Sequence, residues 1–439
     1  MQLKDILTSP CNVRYMVDAL DIQSGVARRM LLEQPMMLTN KEVEDAYANL
    51  RPYVEAVSDK SLTTAVRTLQ FRLQGLKDLA TTLTNLQAGH TLDDIELFEI
   101  KNLAMLNAEV RKQITLLHLP DTLPDLEPVV SILDPEGLRI ATFYVYEAYS
   151  ETLRELKKRL EATPGDAELF TQVQDEEARI RGELSRALRS YAASLQAAHH
   201  AIAETDILLA KALQVFALGL CFPTVGETTS LTEMWHPAVK EAVERRGGTY
   251  QTNSIRLSNM PTVLTGSNMG GKTVVLKTVG LCQYLAQFGF GIPAAQAEIA
   301  IKDEIYCCMA DTQSIEAGLS SFAAEMRQID AVIQASHTDK RILALIDEPA
   351  RTTNPVEGTA LVSALVEVLK PTGITLLMVT HYTISAHACP CLRVRGMEDG
   401  HMNYRLVDAP EGDVPHEALR IAEQLGIDPE WIEKAKQQI

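Results

Sequence analysis

Residues Gly266, Ser267, Asn268, Met269, Gly270, Gly271, Lys272 and Thr273 spell the pattern G-x-x-x-x-G-K-S/T. The apolar run Thr262-Val-Leu-Thr265 precedes them, and a helix-like stretch follows. A buried strand, a glycine-rich turn and a helix in that order leave few folds open. The glycines let backbone N–H groups converge on a phosphate at the positive end of the helix. Lys272 would neutralise charge on β- and γ-phosphates, and the Thr273 hydroxyl would ligate Mg²⁺. The plain alternative is a glycine-rich turn before a helix, with no ligand.

The surroundings favour the chemical reading. After Cys221-Phe-Pro-Thr, short apolar runs at Glu298–Ile301, Ile342–Ile346 and Thr375–Thr380 alternate with helical stretches. That rhythm predicts βαβ units around a mostly parallel, buried sheet. Ile342–Ile346 runs straight into Asp347 and Glu348. A carboxylate at such a strand end can hold hydrated Mg²⁺, and its neighbour can orient the attacking water. Two ordinary strand-end acids capping a nearby helix are the alternative. Asn354-Pro-Val-Glu357 reads as a helix start, with Asn354 as N-cap, Pro355 in the first turn and Glu357 as its partner. His381 ends the run Thr375–Thr380 and is placed either to bond a γ-phosphate or its water, or to serve structure alone.

The first 220 residues read as helices. Leu62, Val66, Leu69, Leu73, Leu76 and Leu83 form one amphipathic stripe, and Leu184, Leu188, Tyr191, Leu195, Ala198 and Ile202 another. The second has a period near 3.5, which suits long helices lying side by side. Thr163-Pro-Gly-Asp166 is a turn signal, predicting an antiparallel hairpin of helices near 143–162 and 167–218. Arg154, Lys157, Lys158, Arg159, Arg179, Arg181, Arg186 and Arg189 form a basic cluster interleaved with glutamates. Solvated i,i+4 pairs and a phosphate-contacting tip are both open readings.

With 439 residues and about 150 per domain, the chain has room for two or three domains. Its net charge is -17, so contact with a phosphate backbone would need a local patch working against a repulsive mean field. The seven cysteines form no regular framework, and Cys389-Pro-Cys391 lacks a second ligand pair. No long apolar span or signal sequence is evident, so the expectation is a reduced, cytoplasmic protein without a membrane segment.

The motifs carry a resemblance. Thr265-Gly-Ser-Asn-Met-Gly-Gly-Lys-Thr273 is similar to the MutS-family phosphate loop, T-G-P-N-M-G-G-K-S. The likeness continues through Glu316-Ala-Gly-Leu-Ser-Ser-Phe322 with Glu325-Met326, then Asp347-Glu348, Arg351, Thr353 and Gly358, and Thr380-His381-Tyr382. Upstream, His236-Pro237 and Tyr250-Gln-Thr-Asn253 resemble the family's H-P and F-x-x-N segments. Ala418–Ala435 resembles its helical C-terminal piece. The helical half matches more weakly, through Ser24–Pro35, Ala203-Glu-Thr-Asp206 and Cys221-Phe-Pro223.

The resemblance implies an α/β P-loop ATPase domain of the ABC class and MutS type, preceded by an all-α core and lever domain. The boundaries expected are 1–225 for the helical domain, 226–405 for the ATPase domain and 406–439 for its C-terminal helical piece. It implies ATP and Mg²⁺ as ligands, with Tyr250 stacking on adenine. Lys272, Thr273, Asp347, Glu348 and His381 match the nucleotide and metal positions. Gly318 and Ser320 match a signature that reaches into a partner subunit's site, so a dimer with itself or a MutS-like partner is implied.

Departures accompany it. The mismatch-reading and connector domains and a C-terminal nuclease domain are not expected, although Ile132-Leu-Asp-Pro-Glu-Gly137 resembles the MutS-II branch. The family's G-R-G-T-S-T-Y-D-G after the catalytic glutamate is here Ala350-Arg-Thr-Thr-Asn-Pro-Val-Glu-Gly358. The leading expectation is an ATPase coupling its cycle to a DNA client. The alternative is a protein client, since MutS-like proteins of similar layout serve as reactivating subunits of cobalamin-dependent aminomutases.

Overall fold

The computed structural model describes residues 1–140, 142–266, 271–309, 321–382, 384, 389–398, 401–409 and 426–437. The chain divides into two compact units. A helical unit takes Leu20–Gln34 and Ala48–Phe216, and a sheet unit takes Met1–Ala19, Pro35–Tyr47 and Ala217–Ile439.

Helices run in order from the N-terminus: α1 (Val13–Asp18), α2 (Gly25–Glu33), α3 (Asn40–Ser58), α4 (Thr63–Leu73), α5 (Ala80–Ala88), α6 (Asp94–Leu116), α7 (Glu127–Leu133), α8 (Glu151–Ala162), α9 (Ala167–Leu188) and α10 (Ala192–Leu218). The leucine stripe that begins at Leu62 is divided between α4 and α5. Gly75 closes the end of α4, its N–H bonding the Arg72 carbonyl at 2.9 Å. The hairpin turn lies where the sequence predicts it, with Asp166 capping α9 by accepting from Glu168 and Leu169 N–H. The first arm is shorter than expected. Residues 143–146 are not helical, because Tyr144, Tyr146 and Tyr149 gather into a ring cluster there. The second arm is broken by a 3₁₀ turn at Arg189–Tyr191, whose tighter winding resets the phase of the apolar stripe.

Two buried polar knots hold the helical unit. The Lys101 ammonium donates to Asp134 Oδ1, the Thr142 carbonyl and the Tyr146 hydroxyl, each at 3.1 Å. Lys101 and Asp134 side chains are 0% and 1% exposed. Asp206 accepts from Gln23 N–H, Ser24 N–H and the Ser24 hydroxyl at 2.8–3.0 Å, which fixes the start of α2.

The sheet unit contains β1 (Thr224–Gly226), β2 (Thr229–Met234), α11 (Pro237–Arg245), β3 (Asn253–Leu257), β4 (Pro261–Thr265), α12 (Lys272–Gln287), β5 (Gln296–Ala300) and β6 (Glu304–Cys308). There follow α13 (Ser321–Ser336), β7 (Ile342–Asp347), α14 (Pro355–Leu369), β8 (Thr375–Val379), β9 (Cys391–Glu398), β10 (His401–Asp408) and α15 (Pro429–Lys436). The main sheet has the order β10-β9-β4-β8-β7-β6. It is parallel from β9 to β6, and β10 closes one edge as an antiparallel hairpin. Its central strands β7 and β8 are buried almost throughout, which is why they read as unbroken apolar runs rather than alternating ones.

One predicted member of that sheet lies elsewhere. The run at Glu298–Ile301 forms β5, which joins a four-stranded sheet of order β1-β5-β2-β3. There β5 runs antiparallel to β2, with Ser230 opposite Glu298. An apolar run alone does not specify which sheet receives it.

Candidate functional site

In an open parallel sheet the strands' C-terminal ends and the turns after them form the natural crevice. Here β4, β8 and β7 are adjacent and end together. Thr380 N–H bonds the Leu264 carbonyl at 3.1 Å, and Glu348 N–H bonds the Val379 carbonyl at 2.9 Å. The turns that leave these strands therefore carry Gly266, Gly271, Lys272, Thr273, Glu348 and His381 into one neighbourhood.

Of the phosphate-loop residues, Gly266, Gly271, Lys272 and Thr273 are described. Ser267, Asn268, Met269 and Gly270 lie outside the described residues, as do Gly318 and Ser320. Gly271 holds φ +73, a left-handed conformation open to glycine and strained for other residues. It is the N-cap of α12, so the free N–H groups of the first helical turn face back over the loop. The Lys272 ammonium is buried and donates to the Gly266 carbonyl at 2.6 Å.

The Thr273 hydroxyl donates to Asp347 Oδ2 at 2.9 Å. The other carboxylate oxygen, Asp347 Oδ1, is buried and has no hydrogen-bond partner among the described residues. Burial raises the Asp347 pKa; the Thr273 hydrogen bond opposes that, while neighbouring Glu348 adds to it. A buried oxygen with a free lone pair beside a threonine hydroxyl is a donor set that fits Mg²⁺, a hard cation that prefers oxygen ligands and keeps several waters.

Glu348 sits at φ +47 and Ala350 at φ +59. The turn is held on both sides. Ala350 N–H donates to Glu325 Oε1 at 3.0 Å, and the Tyr382 hydroxyl donates to the Ala350 carbonyl at 2.9 Å. Arg351 Nη1 donates to Glu348 Oε2 at 3.1 Å. Alanine at 350 thus adopts a glycine-like backbone although the glycine is missing. Asn354 caps α14 through Val356 N–H. Glu357 accepts from the Thr353 hydroxyl at 3.3 Å instead of closing a capping box. Gly358 has a steric reason, since a Cβ there would overlap the Tyr382 hydroxyl. His381 is exposed, its ring 4.2 Å from that of Tyr382.

Tyr250 is set by its hydroxyl, which accepts from His236 N–H at 3.0 Å. It lines a cavity of 430 Å³ together with Val239 and Val243 of α11, and Gly271, Val274 and Val275 at the start of α12. The cavity therefore begins at the end of the phosphate loop. Sequence patterning assigns no role to Gln251, Glu325 or Tyr404. The first two fall inside motifs already noted, whereas Tyr404 is a lone aromatic on an edge hairpin, with no local signal.

Among the described residues no helix is long and apolar enough to cross a membrane. A family model for MutS domain V matches residues 262–399. Curated relatives are each called "Endonuclease MutS2". That of Pediococcus pentosaceus is 33% identical over 60% of this chain and 34% of its own length. That of Thermus thermophilus is 35% identical over 40% of this chain and 23% of its own length. That of Streptococcus pneumoniae is 29% identical over 93% of this chain and 54% of its own length. This chain thus spans between about a quarter and about half of these relatives. The described part of the phosphate loop and the strand-end acids after β7 lie within the matched segment, and residues 262–399 are thereby a MutS domain V by similarity.

Proposed function

We propose that the chain is a MutS-type ATPase that couples ATP binding and hydrolysis to a conformational change acting on a DNA client. The observation that carries the reading is the Thr273–Asp347 contact beside the bare Asp347 Oδ1. Lys272 exchanges its bond to the Gly266 carbonyl for the β- and γ-phosphate oxygens. Thr273 and Asp347 hold Mg²⁺, which when bound neutralises charge on those oxygens. Glu348 orients a water in line with the γ-phosphorus and accepts its proton as the new P–O bond forms and ADP leaves. His381 bonds the γ-phosphate or that water. In this reading Gly318 and Ser320 complete the site of a second MutS-like subunit, so the working form is a dimer. The helical unit serves as core and lever, and 226–405 with 406–439 as the ATPase domain and its helical extension. The expected compartment is the cytoplasm.

Glu348→Gln is the direct test of the chemistry. The variant is expected to bind ATP while turnover falls by about 10²–10⁴; unchanged steady-state hydrolysis would remove Glu348 as the base. The client is tested by binding to duplex, mismatched and four-way-junction DNA at low and moderate salt, with and without ATP. Nucleotide-dependent binding with a salt slope supports the DNA client.

The second reading is a protein client such as a cobalamin-dependent aminomutase, and one observation weighs against the DNA client. Several members of the basic cluster are occupied by carboxylates: Arg154 by Glu151, Lys157 by Glu177, Arg179 by Glu176 and Glu183, and Arg181 by Asp94. Intact basal hydrolysis with no DNA binding even at low salt would select that reading.

A further inference from the structure

We infer that Cys11 and Cys307 form a redox pair, which a hydroperoxide converts from two thiols into a disulfide that ties the N-terminal stretch to β6. The inference goes beyond the nucleotide reading above and does not depend on it.

The two sulfurs face each other at 3.6 Å across 296 positions of chain, and both belong to the sheet unit. Both thiols are free. A disulfide needs about 2.05 Å between its sulfurs, so an approach of about 1.5 Å would join them. The strand aims Cys307 at its partner. Cys308 packs in the core with Ile329 and Val332 of α13, and side chains alternate along a strand. Cys307 therefore faces the opposite side of the sheet, beside Leu345, its neighbour in the ladder with β7. Cys11 reaches the same place over Gly280 of α12, where a Cβ would overlap both Cys11 Sγ and Leu345 Cδ1. Only a residue without a side chain admits the sulfur so close to the phosphate-loop helix. Cys11 is fully buried and Cys307 is partly exposed, so an oxidant in solution meets Cys307 first.

The surroundings divide the roles. The Cys11 thiol donates to Cys307 and holds it below the ordinary thiol range, and the Tyr284 and Ser9 hydroxyls act in the same direction against burial. The same hydrogen bond, together with burial, pushes Cys11 up. The thiolate is the reactive form, so Cys307 is the attacking sulfur. It attacks one oxygen of the hydroperoxide; an S–O bond forms, the O–O bond breaks, and the alkoxide leaves to become an alcohol. Cys307 is now a sulfenic acid, which condenses with a neighbouring thiol. Cys11 attacks the Cys307 sulfur, the S–S bond forms and the S–O bond breaks. Hydroxide departs with the Cys11 proton as water. Two thiols have then given up two electrons, and the hydroperoxide has been reduced to alcohol and water.

The test treats the folded full chain with hydrogen peroxide and maps its peptides without reduction. Wild type is expected to lose two of its seven free thiols. It should yield one linked pair of peptides carrying Cys11 and Cys307, which dithiothreitol separates. Cys11→Ala removes the second sulfur, so peroxide is expected to leave Cys307 as a sulfenic acid that dimedone traps. Cys307→Ser is expected to keep Cys11 as a free thiol under the same treatment. Folded wild type that retains both thiols overturns the inference. So does a bridge between Cys389 and Cys391 with Cys11 and Cys307 untouched. A Cys11–Cys307 link that forms only in urea overturns it as well, since the native fold would then not be what pairs them.

Discussion

The Thr273 hydroxyl, in the first turn of α12, donates to Asp347 Oδ2 at the end of β7 across 2.9 Å. This contact ties the phosphate-loop helix to the strand-end carboxylate while leaving Asp347 Oδ1 bare. Thr273→Ser keeps the hydroxyl and is expected to retain Mg²⁺-dependent hydrolysis. Thr273→Val keeps the shape, loses the oxygen, and is expected to lower hydrolysis at least about a hundredfold. Measuring rate against Mg²⁺ concentration for both variants decides it. A valine variant with wild-type Mg²⁺ dependence would remove Thr273 from the metal site.

The Lys101 knot makes a prediction about stability rather than chemistry. Burial disfavours the charged form of Asp134, yet its pKa still lies below the ordinary value, because Arg139 N–H and the Lys101 ammonium outweigh that cost. Lys101→Met leaves a buried carboxylate uncompensated and is expected to cost about 3–5 kcal/mol in urea unfolding. Pairing it with Asp134→Leu should recover much of the loss. A single-variant cost below about 1 kcal/mol would show the pair to be wet.

Glu176 links the hairpin arms and should show in acid. It accepts from Arg179 Nη2 at 2.7 Å and from the Ser150 hydroxyl at 2.6 Å, and these bonds lower its pKa to about 2. A carboxylate depressed in the folded state stabilises above its unfolded pKa near 4.5, and that stability is lost as pH falls toward 2. Glu176→Gln is therefore expected to be less stable than wild type by about 0.5–1 kcal/mol at pH 7. The gap should narrow progressively below pH 4.5. A gap that stays constant from pH 7 to pH 3 would mean the charge is not what holds α8 to α9.

Ala350 tests how the turn after Glu348 survives without its glycine. At φ +59 an L-residue carries strain of about 1–2 kcal/mol. Ala350→Gly relieves the strain but gives up a buried methyl, so it should fall within about 1 kcal/mol of wild type. Ala350→Val cannot adopt the conformation cheaply and is expected to cost more than about 2 kcal/mol. Thermal unfolding of the two variants distinguishes the cases. A valine as stable as alanine would mean that the turn is free to relax.

What could be read from sequence was local. The phosphate loop, the carboxylates ending Ile342–Ile346 and the Asn354 cap each depend on a few consecutive residues whose geometry is almost forced. Features that depended on distant partners stayed hidden. Cys11 meets Cys307 only because the N-terminal stretch folds back onto β6, 296 positions later. The allocation of β5 to the smaller sheet depends on β2, and the shortened arm before Glu151 depends on Tyr146 finding Lys101. Periodicity reports which face of an element is apolar; it carries no address for what that face meets.

The sheet unit is stitched from three stretches of chain, Met1–Ala19, Pro35–Tyr47 and Ala217–Ile439. The short stretches are bonded into it. Met37 N–H donates to the Gln287 carbonyl at 2.9 Å, Gln287 Nε2 returns a bond to the Met37 carbonyl at 2.8 Å, and the Tyr47 hydroxyl donates to the Phe290 carbonyl at 2.6 Å. A gene segment starting after α10 would encode β4, α12 and the strand-end acids yet leave Gln287 and Phe290 without these partners. Such a unit is no portable cassette. A single break after α10 would part Gln287 and Phe290 from the stretches that bond them.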